Sequence, residues 1–179
     1  MSRVSMLPRS GRSLPPRAAP PLPAGCSGGH AAPAAATHPP AASIAAFIEP
    51  LLSGRWELGA EGPQAWDCWS LFRHAQAGLF GRAVPRVVLS KDTPVTKTSA
   101  LLASHPGRAL WRQVPAPVHG GAVELSSVRT PLHVGLWLAV DGGLVFHCAE
   151  PAGVQLDSLL TLRACGWRVL RFYEWAGDA

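Results

Sequence analysis

No stretch of this chain stays apolar for the roughly 20 residues that a membrane-spanning helix requires, so a bilayer span is not expected. No C-x-x-C pair occurs among its four cysteines, Cys26, Cys68, Cys148 and Cys165. Their wide, irregular spacing fits neither a zinc finger nor the dense disulfide framework of a short secreted domain. No heptad or G-X-Y period runs through the chain, which excludes coiled-coil and collagen-like classes. Acidic residues are missing from the first 40 positions, which hold four arginines, and aromatics are missing from the first 42, where nine of the 18 prolines collect. The basic start lacks the apolar stretch of a secretory signal, so no signal peptide is expected.

A segment of that composition cannot bury enough apolar surface to offset its ordering entropy. We therefore expect a disordered Pro/Ala/Arg-rich tail over residues 1–42 and one folded domain over residues 43–179. Two readings of the tail stay open: an Arg-rich, acid-poor transit segment, which its prolines oppose, or a start placed too far upstream. The formal charge of +5 splits into +4 for the first 40 residues and +1 for the rest, where 12 basic residues face 11 acidic ones. The domain thus carries no basic face, and specific nucleic-acid binding is not expected. Seven Trp and a hydrophobic fraction of 47% supply a core.

Periodicity gives the elements. Ser43 to Glu49 reads as a short helix capped by Ser43, and residues 54–65, with three Gly and one Pro, as a loop. Asp67 to Gly81 reads as a helix with Asp67 as N-cap and Gly81 at the end. Leu71, Phe72, Ala75 and Leu79 form its apolar face. Residues 82–117 are hard to read, with a short helix suggested over 99–104. From Gly121 the period becomes two: strands are expected over 122–128, 132–140 and 144–148, the last two joined by a turn at Asp141-Gly142-Gly143. A capped helix over 157–164 and a strand over 167–175 follow. Helices first and an antiparallel meander after them make the class α+β.

Cys68 falls in the first turn of its helix. There the positive end of the macrodipole and unpaired N–H groups favour a thiolate, and the same groups can hold an oxyanion. A base comes from the best strand. His133 shares a face with Gly135 and Trp137, and if 139–143 form the loop, Leu138 pairs with Leu144 and His147 falls opposite Gly135. Both imidazoles then share one face, and a register slip of one residue would separate them. The roles follow: Cys68 the nucleophile, His133 the base that takes its proton, His147 the group that orients His133. Each also has a plain structural reading as a core or strand residue. Metal binding by His119, His133, His147 and Cys148 matches no tight spacing, so neither metal nor cofactor is expected. His74 is expected on the surface, Cys148 in the core.

The stretch Asp67-Cys68-Trp69-Ser70-Leu71-Phe72-Arg73, then His133-Val134-Gly135-Leu136-Trp137-Leu138 and Phe146-His147, resembles the NlpC-type cell-wall cysteine peptidases, small papain-like enzymes. The Gly-rich approach through Gly54, Gly59 and Gly62 to Trp66-Asp67-Cys68, and the ending Gly166 to Tyr173, resemble the phage and prophage tail-assembly branch. The resemblance covers about residues 44–175. It implies a papain-like fold, N-terminal helices on a small antiparallel sheet, and matches Cys68, His133 and His147 to the family's Cys-His-His positions. It implies cleavage of peptidoglycan stem peptides at a γ-D-glutamyl–diaminoacid bond through a thioester. It also implies phage-like tail proteins as partners, and a protein made in the bacterial cytoplasm and packed into a tail particle. Ser70 stands where the family usually has Gly, and Gly120 to Val123 where a Gly-Asp pair usually begins the strand. A tail-tip module that kept the fold without the activity is the second reading. Arg73, Arg108 and Arg112 could meet substrate carboxylates or be plain surface groups.

Overall fold

The computed structural model describes residues 39–88, 92–94, 97, 100–101 and 104–177. Most of the expected tail, and half of the helix suggested over 99–104, lie outside the described residues; Ala100, Leu101 and Ser104 are helical. Helix α1 spans Ala41–Ile48, so it begins at Ala41 rather than Ser43. Its start is held by the Pro40 carbonyl, which accepts from Ser43 N at 2.9 Å and Ile44 N at 3.1 Å, and no side chain caps it. Ile44 and Ile48, one turn apart, are its buried face.

Helix α2 spans Cys68–Phe80. Asp67 is extended, and its Oδ1 accepts from Ser70 N at 2.6 Å while Ser70 Oγ accepts from Asp67 N at 3.0 Å, a reciprocal capping box. The serine hydroxyl also donates to the Ala60 carbonyl at 2.6 Å, which ties the cap to the preceding loop. Gly81, at φ 64°, closes the helix in the left-handed conformation. The expected loop before α2 is pinned at both ends by short parallel strands, β1 (Arg55–Trp56) and β2 (Ala65–Trp66).

Six further strands form one antiparallel sheet: β3 (Trp111–Val114), β4 (Ala122–Ser126), β5 (His133–Leu138), β6 (Leu144–Ala149), β7 (Gly153–Asp157) and β8 (Arg168–Trp175). Their order is β3-β8-β4-β5-β6-β7. The last strand therefore returns to insert between β3 and β4 beside a meander. A short helix, α3 (Leu159–Ala164), precedes it. The mixed helix-and-strand architecture on an antiparallel sheet is the one the sequence implies. Strands β3 and β7 were not expected; each is four or five residues long and lacks a clean alternation.

Both sheet faces are covered. Helix α2 sets Leu71, Phe72 and Ala75 against a core with Leu136, Phe146 and Cys148. On the opposite face Leu162 of α3 packs with Val123, Leu125, Trp137 and Val145. Buried Glu124 accepts from Arg171 Nη1 at 2.8 Å, Tyr173 Oη at 2.8 Å and Arg108 Nη2 at 3.2 Å, so its charge is compensated. Among the described residues no helix is long and apolar enough to cross a membrane.

The β5–β6 register is the expected one: Leu138 pairs with Leu144, Trp137 with Val145 and Leu136 with Phe146. Continued by one pair, it sets Gly135 opposite His147. A Cβ at Gly135 would lie 2.4 Å from Val145 Cγ1 and 3.3 Å from His147 Cβ. Gly135→Ala is therefore expected to cost about 1–3 kcal/mol of overpacking. A lower urea midpoint with an unchanged slope would show it; an unchanged midpoint would mean the hairpin relaxes freely.

Candidate active site

Cys68 is the first residue of α2 and is half-buried. The backbone N–H groups of Val134, Trp69 and Cys68 itself turn toward its sulfur. Val134 directly follows His133 on β5, but the two side chains alternate: the His133 ring shares the α3 face with Gly135, Trp137 and Trp167, whereas α2 packs on the other face. Among the described residues no hydrogen bond joins the Cys68 thiol to the His133 ring.

The two histidines are in direct contact. His133 Nε2 and His147 Nδ1 are 3.1 Å apart, with the rings nearly perpendicular at 89°. Only 2% of His133 and 1% of His147 is exposed, so this contact is shielded from water. The Trp167 ring lies against both, 4.6 Å from His133 and 6.1 Å from His147 between centroids. It walls off the face that solvent would otherwise reach.

A third polar group continues the line. His147 Nε2 is 3.1 Å from Asp157 Oδ2 at the end of β7. Sequence reading assigned Asp157 to the start of a capped helix. In the structure Ser158 takes that part, its Oγ accepting from Thr161 N at 3.0 Å, and Asp157 is left to the sheet. Once β7 is known, the signal is plain: Val145 pairs with Asp157 and His147 with Gln155, so Asp157 lies on the His147 face one diagonal step away.

The electrostatics differ from the expected acidic thiol. Burial, and then the neighbouring Asp67 carboxylate, push the Cys68 thiol up to about 12, against the pull of the surrounding N–H groups. Asp67 is itself shifted upward by burial despite the donors at its oxygens, Ser70 N at 2.6 Å and Gly59 N at 3.0 Å. Burial, and then His147, hold His133 well below the ordinary histidine range. The resting pair is a neutral thiol and a neutral imidazole.

The other candidates separate. Cys148 is buried on the α2 face, its thiol donating to the Trp66 carbonyl at 3.3 Å, so it does not join His119, His133 and His147 in one cluster. Arg73, Arg108 and Arg112 are paired with Glu61, Glu124 and Glu174. Exposed His74 lies against the Phe47 and Trp66 rings. Beside His133 opens a small cleft of about 60 Å³, lined mainly by apolar groups including Trp69, Phe72, Leu132, Val134 and Tyr173.

No protein-family model matches this chain, and no curated protein matches it. The reading of the site therefore rests on its residues and their geometry.

Two stability outcomes follow. Ser70→Ala removes one arm of the capping box and is expected to cost about 1 kcal/mol in chemical denaturation. Because burial holds His133 below its ordinary value of 6.5, the folded state takes up fewer protons than the unfolded state at acidic pH. Its contribution is present above pH 6.5 and is lost as pH falls below it. Denaturation of the wild type and His133→Asn at pH 7.5 and pH 5 should show the larger acid loss in the wild type; parallel losses would remove His133 as the cause.

Proposed function

We propose that this chain is a thiol peptidase of the NlpC type, with a papain-like arrangement, that cleaves peptidoglycan stem peptides at a γ-D-glutamyl–diaminoacid bond. The observation that carries the reading is the buried His133–His147 contact at the start of β5, one residue before Val134, with the motif resemblance that joins it to Cys68 at the capped end of α2. The absence of a family match leaves the motif resemblance and this geometry as its support.

The chemistry suits a neutral resting pair. As Cys68 Sγ bonds to the substrate carbonyl carbon, its proton passes to His133, and the carbonyl π electrons move to oxygen. The N–H groups of the first α2 turn are the donors for that oxyanion. Collapse re-forms the carbonyl and breaks the C–N bond, and His133 returns the proton to the leaving amine. Water then attacks the thioester, His133 takes its proton, and the thiol departs protonated. The substrate's acyl side meets the apolar cleft beside His133. A tail-associated protein, made in the cytoplasm and carried in a phage-like particle, would apply this activity locally to the cell wall, with tail proteins as partners.

A second reading has one observation in its favour: the thiol is strongly protonated and is not hydrogen-bonded to His133. That suits a tail-tip module that is silent, either permanently or until assembly. A digest of purified peptidoglycan read by mass spectrometry separates the two. The peptidase reading expects stem-peptide fragments from the wild type and a loss of at least about 10³-fold in Cys68→Ala. Release by neither folded protein would favour the silent module, and equal release by both would eliminate Cys68 as the nucleophile.

A further inference from the structure

We propose that Asp157 is a positioning residue that sets the tautomers of His147 and His133 in sequence, leaving Nδ1 as the one unprotonated nitrogen of His133. The argument runs from one end of the line to the other. An ionised carboxylate accepts and does not donate, so the ring nitrogen 3.1 Å from Asp157 Oδ2, His147 Nε2, carries a proton. With His147 taken as neutral, its imidazole holds one proton, so its Nδ1 is then a lone pair. The nitrogen 3.1 Å from it, His133 Nε2, must then donate. By the same count His133 Nδ1 is unprotonated. It makes no hydrogen bond among the described residues. One carboxylate, one ring away from His133, decides which of its nitrogens is left as a lone pair.

The line also supplies a counter-charge. When His133 takes the thiol proton, its Nε2–H can shift onto His147 Nδ1, moving the positive charge to the ring that Asp157 touches. The Trp167 ring lies against both, and among the described residues Asp157 is the only anion hydrogen-bonded to either. A histidine alone is a neutral orienter; a histidine backed by a carboxylate offers the anionic support of an acid–histidine pair, one ring removed.

The test reads protons directly. Imidazole ¹⁵N NMR of the full chain at pH 7.5 should show His147 and His133 both protonated at Nε2 and not at Nδ1. In Asp157→Ala both rings should become tautomer mixtures, and Asp157→Glu should restore part of the wild-type pattern. In the peptidoglycan assay Asp157→Ala should lower kcat about 10- to 100-fold with KM little changed, a split that mere loosening of the fold would not give. A proton on His133 Nδ1 in the wild type overturns the proposal, whether or not the variant folds, as do unchanged tautomers in a folded Asp157→Ala. Only the kinetic arm rests on the peptidase reading. The predicted tautomers in a protein without hydrolytic activity would uphold Asp157's positioning and reject that reading.

Discussion

Between β5 and β6 a missing side chain decides where two imidazoles stand. With no Cβ at Gly135, Val145 and His147 close in over the opposite strand, and the His147 ring reaches His133 across a gap that any other residue would fill. Side chains on a strand alternate faces, so moving this pairing by one residue would send His147 to the α2 side and Cys148 to the His133 side. The apolar partners enforce the choice. Leu136, Phe146 and Cys148 belong under α2, while Trp137 and Val145 belong with Leu162 of α3. Two cores, one on each face, lock the register, and the register makes the imidazole pair.

The helix that presents Cys68 shows a contest of fields that magnitude decides. A helix N-terminus is worth about 0.3–1 kcal/mol to an exposed anion and up to about 2 kcal/mol in partly buried sites. Burial alone can shift an ionisable group by several pKa units, each about 1.4 kcal/mol. Asp67 tips the balance further. The carboxylate that caps α2 stands directly before the sulfur, so the feature that fixes Cys68 in place also opposes its ionisation. Reactivity at such a site depends on handing the proton over during attack rather than on a standing thiolate.

The long periodic elements were legible in the sequence because local rules decide them. Asp67 and Gly81 bracket α2 by capping and left-handed closure, and the alternation in 133–138 and 144–149 yields the hairpin with its register. The contact between His133 and His147 was readable from that register alone. What escaped depends on tertiary contacts. Strand β3 is decided by pairing with β8, and β7 by pairing with β6, not by their own patterns. With β7 unseen, Asp157 resembled one more helix cap, and Ser158 beside it offered an equivalent oxygen that does the capping. The sign of the thiol shift was likewise hidden, because a chain pattern reveals the helix end but not how dry its surroundings are.

Strand β7 borders the sheet, and an open border there would present a row of amide groups to any extended chain. It is closed instead by the turn before β1. The Val154 amide donates to the Gly54 carbonyl at 2.9 Å, and Gly153 lies so near that a Cβ would come within 2.3 Å of that oxygen. A peptide therefore cannot join this border as an added strand at Val154 without displacing Gly54. The strand that holds Asp157 is thus covered at Val154 by the chain's own turn rather than left to pair with another chain.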